Sequence, residues 1–243
     1  MKRNIVWGTV VLLAASVLAA DSDSKTEVKN AAKKLATVGG YSWKTTVEAA
    51  GGGRAGRFRP GPTEGQAAKD GTIHLSMTRG ENTIEAFLKG EKGALKTEDG
   101  WKSLSEAAES DGGGQPNPSM FMARMLRSYK APAAEAEDLA GKAKELKSED
   151  GVYSGDLTEE AVKQLVARGP RRPGAEPPEV ADAKGSVKFW VKDGVLSKYE
   201  YQVQGKMSFN GNDVEINRTT TVAIKDVGST KVEVPDEAKK KFS

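Results

Sequence analysis

Two periods alternate along this chain. In SKTEVKNAAKKLATVGG, Val28, Ala32, Leu35 and Val38 recur on one helical face. Ser24 and Glu27 are spaced as a capping box, and Gly39-Gly40 supplies a stop, so the expected helix covers 24–38. From there the period falls to two. Tyr41, Trp43 and Val47 alternate with Ser42, Lys44, Thr46 and Glu48, and Ile73, Leu75 and Met77 alternate with Thr72, His74 and Ser76. Ile84, Ala86 and Leu88 alternate with Glu85 and Lys89, leaving Phe87 out of phase. A short GALKT then turns through Glu98-Asp99-Gly100 into Trp101. This alternation predicts antiparallel strands with one dry and one wet face.

The middle of the chain returns to helical spacing. Asn117-Pro118 opens a helix in which Phe121, Met125, Leu126 and Tyr129 share a side. AAEAEDLAGKAKEL follows as an Ala-rich helix, GVYSGD as a short strand, and Thr158 as the cap of TEEAVKQLV. The last third reads as a meander, 186–192, 195–209 and 214–225, divided by hairpin signals at Asp193-Gly194 and Asn210-Gly211. TKVEVP is a final short strand before a charged tail. From Val195 onward the odd positions form one apolar face, joined across the turn by Val187, Phe189 and Val191. A hairpin this long does not leave such a face wet, because burying one large apolar side chain is worth about 1.5–3 kcal/mol. The helices over 24–38 and 119–129 are available to cover it. Gly/Pro-rich stretches near 50–70, 111–118 and 167–185 hold few aliphatic residues to offset the entropy of ordering, and read as loop insertions.

The N-terminus indicates where such a domain works. Lys2 and Arg3 precede a mostly apolar run from Ile5 to Leu18, and Val17-Leu18-Ala19 is a small-residue cleavage pattern. Residues 1–19 therefore read as a secretory signal peptide and 20–243 as a single domain, periplasmic or extracellular. The run is shorter than the roughly 20 residues of a membrane span; the other reading is an uncleaved anchor. The chain has no cysteine, so an exported fold relies on its core alone and no thiol is present to carry a lipid. Removing Lys2 and Arg3 lowers the formal charge of +3 by two, to +1. That balance steers the protein towards no nucleic acid or other polyanion; without a lipid-bearing thiol or a later apolar segment, the mature protein is expected to be soluble, without a stable membrane span, and a monomer.

Three segments carry a family resemblance: KGEKGALKTEDGW (89–101), GSVKFWVKDGVLSKYEY (185–201) and DVGSTKVEVPDEA (226–238). With the order helix, strands, helices, meander, they resemble the soluble lipoprotein carrier LolA and its LppX/LprG-type lipid-binding relatives. The resemblance implies an unclosed, strongly curved antiparallel sheet whose apolar concave side is plugged or capped by helices. No arginine or lid residue of those carriers is matched, so no family site is carried over.

Catalytic chemistry finds little support in the sequence. A Ser-His-Asp device would have to use the single histidine, His74, which lies on the polar side of its strand and reads as a sheet-surface residue. G-x-S-x-G, H-E-x-x-H and P-loop patterns are absent, and the Glu98-Asp99 and Glu149-Asp150 pairs each precede a glycine, as turns do. Arg168, Arg171 and Arg172 form a basic run suited to an anionic envelope polymer or lipid headgroup, or to a solvated loop.

These patterns predict an α+β domain with antiparallel strands, and the resemblance implies that they form a strongly curved sheet, an open or half β-barrel, with helices on the concave side. The expected function is non-enzymatic and cofactor-free binding of a hydrophobic ligand, lipid or lipoprotein. Its concave face would be lined by Trp43, Ile73, Leu75, Met77, Phe189, Tyr199, Tyr201, Val203, Met207 and Phe209, under a lid carrying Phe121, Met125 and Leu126. The alternative is an envelope interaction module whose apolar face is permanently filled. Methionines on the lid helix suit either an adaptable surface or a core.

Overall fold

The computed structural model describes residues 17–50, 61–80, 82–109, 118–167, 178–209 and 212–242. Helix α1 (Val17–Thr37) leads into strands β1 (Gly40–Ala49), β2 (Thr63–Ala68), β3 (Thr72–Arg79), β4 (Asn82–Lys89), β5 (Lys92–Thr97) and β6 (Gly100–Ser103). Helices α2 (Leu104–Glu109), α3 (Pro118–Arg127) and α4 (Pro132–Lys142) follow, then β7 (Lys147–Glu149), β8 (Val152–Asp156) and α5 (Glu159–Val166). The chain closes with β9 (Glu179–Lys192), β10 (Val195–Phe209), β11 (Asn212–Lys225) and α6 (Asp236–Lys239).

All eleven strands form one antiparallel sheet in the order β6-β5-β4-β3-β2-β1-β11-β10-β9-β8-β7. The first and last thirds of the chain meet at its centre, where β1 pairs with β11 and Trp43 lies opposite Ile224. The edge strands β6 and β7 do not pair with each other, so the barrel stays open. Laid flat, ten inter-strand spacings of about 4.8 Å would separate those edges by about 48 Å. Instead one core cluster takes Leu88 and Leu95 from one half and Tyr153 from the other, together with Val28 and Leu35 of α1. A single cluster spanning both halves fits a strongly curved sheet with the helices inside the curve, as the resemblance implies.

Several elements differ from expectation, each for a physical reason. Helix α1 begins at Val17 rather than at Ser24, which is a buried residue within the helix and not its cap. The face Val28, Ala32 and Leu35 has no exposure, as its spacing predicts. The stretch TEGQAA, expected as loop, is β2: it lacks aliphatic residues and is held as a strand by ladders to β1 and β3 on either side. Its Gly65 is required by a close approach. A Cβ there would come within 2.1 Å of the Trp43 ring, so the indole lies flat over a bare backbone.

Helix α2 was not foreseen, although Ser103 and Glu106 form a reciprocal capping box: the Ser103 amide donates to Glu106 at 2.6 Å and the Glu106 amide to the Ser103 hydroxyl at 3.1 Å. Strand β9 begins at Glu179, within the stretch read as a loop, and passes through Asp182 at a φ of 53°. The turn at Asp193-Gly194 is as expected, with φ of 54° and 71°, the left-handed pair that a two-residue hairpin needs. The Asn210-Gly211 turn and residues 51–60, 110–117 and 168–177 lie outside the described residues.

The odd positions of β10 face inward only from Tyr199. A register shift between Leu196 and Lys198 inserts Ser197 as an extra residue, and the even-numbered Leu196 is fully buried before it. TKVEVP is not a strand; it runs extended without a ladder into α6. The out-of-phase Phe87 belongs to a second, convex-side cluster with Ala94 and Ala238, closed by Trp101, Val232, Val234 and Phe242. The charged tail is thus an amphipathic cover for the outside of the sheet.

Candidate functional site

The concave face has a part closed by helices and parts left half covered. The closed part lies under α1 and α4, and three tyrosines fix those helices to the sheet. Tyr199 donates to Glu135 of α4 at 2.6 Å, Tyr153 donates to Glu27 of α1 at 2.6 Å, and the Tyr41 hydroxyl accepts from the Ala133 amide, in the first turn of α4, at 3.4 Å. These bonds give polar partners to the hydroxyls of three buried tyrosines. Burial pushes the Tyr41 phenol up from 10.0 to about 12. Burial, and then the adjacent Glu135 charge, hold Tyr199 well above the ordinary range. Both hydroxyls therefore stay protonated at neutral pH, Tyr199 as a donor to Glu135 and Tyr41 as an acceptor from Ala133.

Helix α5 covers the middle. A Cβ at Gly185 would come within 2.9 Å of Val162, and one at Gly205 within 3.6 Å of Val166, so the helix rests directly on glycine backbone. Arg218, on the inward side of β11, donates to the Leu165 carbonyl in the last turn of α5. A cation there complements the negative end of the helix dipole.

The other parts are only half covered. Met207 lies opposite Val214 and Val180, Val47 opposite Thr220, and Met77 opposite Ile84. Each of these apolar side chains is half-buried, as is Ile216 two residues along β11. Phe189, Tyr199, Leu75 and Val203 of the same inward face have no exposure.

The expected ligand-lining residues therefore fall into two groups. Trp43, Leu75, Phe189, Tyr199, Tyr201 and Val203 are buried under helices in the closed region. Ile73, Met77 and Met207 are half-buried, and the Phe209 side chain is outside the described set. Sequence reading did not single out Val47, Ile84, Val180, Val214 or Ile216 for this face; their signal was present as period-two alternation in β1, β4, β9 and β11. On α3 the packed face is Met122, Ala123 and Leu126, with Met125 half-buried and Phe121 44% exposed. The helix is thus rotated by about one residue from the face its spacing suggested. Arg168, Arg171 and Arg172 lie outside the described residues.

Metal and acid–base chemistry have little to build on here. Among the described residues no three His, Asp or Glu side chains are grouped to hold a metal. His74 stacks on Phe87 with ring centroids 4.6 Å apart, and burial lowers its pKa, leaving a neutral imidazole. Its Nε2 has no hydrogen-bond partner among the described residues, and neither has the buried Trp43 Nε1. No described helix is long and apolar enough to cross a membrane.

Two surface pockets lie away from the concave face. A groove of about 860 Å³ follows the C-terminal segment on the convex side, and a hollow of about 510 Å³ sits between α1 and α4.

No protein-family model matches the chain, and no curated protein matches it in sequence. Among solved structures, it is similar to the lipoprotein LppX of Mycobacterium tuberculosis, at 12% identity and a TM-score of 0.43, over 88% of this chain and 100% of that one. LprF of Mycobacterium bovis gives 9% identity and 0.43 over 89% and 98%, and a LolA superfamily protein of Nitrosomonas europaea 12% and 0.34 over 90% and 97%. These belong to the group that the three sequence segments resemble. The architecture itself rests on this chain's own strand pairing and packing.

Proposed function

We propose that this chain is an exported, non-catalytic protein that binds the acyl part of a lipid or lipoprotein at the half-covered part of its concave face. The observation that carries the reading is the half-buried apolar side chains of that face, in two groups: Val180, Met207, Val214 and Ile216 across β9–β11, and Met77 with Ile84 across β3–β4. The first group is contiguous across three strands, more than isolated exposed hydrophobics supply, and patches of this kind mark ligand or interaction sites. The fully packed region behind them gives the site a rigid floor. The methionines at its edge, Met77 and Met207, are unbranched and polarizable and adapt to chains of varied shape. In this reading helix α3, with Met125 half-buried, acts as a lid.

The test is lipid extraction and mass spectrometry of the protein purified from its native envelope. A stoichiometric acyl species is the expected result; an empty protein that also takes up no lipid from vesicles overturns the reading. The intact mass from the same sample reports whether residues 1–19 are removed.

The complete burial of Phe189, Tyr199, Leu75 and Val203 favours a second reading, an envelope interaction module with a permanently filled interior. The same experiment separates the two.

A further inference from the structure

The convex groove is built differently from the concave face. One wall is the β2–β3 turn, where Asp70 accepts from the Thr72 amide and from Lys89, at 3.0 and 2.6 Å. The other wall is the extended segment Thr230–Val234. Its side chains alternate as in a half-buried strand: Val232 and Val234 pack toward Phe87 and Ala94, while Lys231 and Glu233 are exposed. No hydrogen bond joins the backbone of Lys231 to Val234 to another described residue. An extended run with unpaired amides and carbonyls is a template for another strand.

The rim adds a charge preference. Lys69, Lys89, Lys231 and Lys239 line the groove with only Asp70 and Glu233 as carboxylates. Asp70 is occupied by Lys89, and Lys239 by Asp236 at 3.1 Å. Lys69 and Lys231 make no ion pair among the described residues. About 860 Å³ of space separates the walls, within the roughly 300–1,000 Å³ typical of ligand sites.

We propose that this groove binds an extended acidic segment of a partner protein, added as a strand along Lys231–Val234 with its carboxylates against Lys69 and Lys231. A peptide supplies both the backbone groups this edge lacks and the charge its rim leaves unmatched. The proposal is independent of the acyl site on the opposite face.

A fluorescein-labelled heptapeptide alternating glutamate and valine serves as the probe, read by anisotropy with the full chain. Binding is expected, with slowed hydrogen exchange at the amides of 231–234. The double variant Lys69→Glu, Lys231→Glu, with unchanged melting temperature and unchanged lipid uptake, is expected to weaken it about tenfold. A lysine–valine peptide is expected not to bind. Several outcomes overturn the proposal: no anisotropy change up to about 1 mM protein, binding that ignores the charge reversal, or binding without amide protection. Charge-sensitive binding to phosphatidylglycerol vesicles in place of the peptide would assign the groove to a membrane surface. Protection of 231–234 that rises with protein concentration alone would assign it to a second copy of this chain.

Discussion

The Tyr199 hydroxyl donates to the Glu135 carboxylate at 2.6 Å, joining the fully buried inner face of β10 to helix α4. A carboxylate accepting from a buried phenol is a charge-assisted bond, stronger than a neutral pair. Replacing Tyr199 with Phe keeps the packed ring but takes this donor from Glu135. The expected loss is about 1–3 kcal/mol, measured by urea unfolding. Combining it with Glu135→Gln should cost less than the sum of the two single changes, because the two groups act as one unit.

Trp43 and Gly65 make a second such relationship. A side chain at position 65 would occupy the space of the indole, so Gly65→Val should displace Trp43 and destabilise the fold by about 1–3 kcal/mol, the usual range for overpacking. Near-ultraviolet circular dichroism should lose the Trp43 part of its tryptophan signal in this variant, leaving that of Trp101 and Trp190. An unchanged spectrum and melting temperature would remove the indole from its assigned place.

Buried tyrosines set the alkaline limit. Tyr41 titrates at about 12 in the folded chain, against about 10 unfolded. Because the folded value is raised, the native state holds the proton more tightly. Its contribution is complete below about pH 10 and is lost as pH rises towards about 12. Tyr199 acts in the same direction. The melting temperature should therefore fall more steeply above about pH 10 in the natural protein than in Tyr41→Phe, as followed by differential scanning fluorimetry.

The closed and half-covered parts of the concave face should respond differently to a buried charge. Tyr201→Asp places a carboxylate in the packed region and should destabilise the fold in every functional reading. Met207→Asp, in the half-covered group, should abolish uptake of a fluorescent fatty acid with a much smaller fall in melting temperature. Met125→Asp should do the same if α3 is the lid. Equal losses of melting temperature for all three would show that the interior is filled throughout, leaving no acyl site.

Much of the architecture was legible because it is local. Asp193-Gly194 specifies its hairpin through turn geometry, Thr158 caps α5 by accepting from the Ala161 amide, and Val28, Ala32 and Leu35 mark the buried stripe of α1 through spacing alone. The capping box of α2 was equally local and could have been read from Ser103 and Glu106. What was not legible depends on partners distant in sequence. TEGQAA becomes a strand only because β1 and β3 flank it, and Gly65 has meaning only beneath Trp43. Phe87 is out of phase until the C-terminal segment covers it from the convex side.

The sequence by itself determined an α+β chain of alternating strands with amphipathic helices, because periodicity, caps and two-residue turns act over a few residues. It also determined which positions are apolar. The tertiary structure decided which of those positions are sealed and which remain accessible. That choice depends on where α1, α4 and α5 come to rest on the curved sheet, through Tyr199 with Glu135, Tyr153 with Glu27 and Val162 over Gly185. Side chains far apart in the chain set these contacts, and no local pattern encodes their separation. The same holds for the convex groove, which exists because residues 230–242 fold back across β3 to β6 instead of extending the sheet.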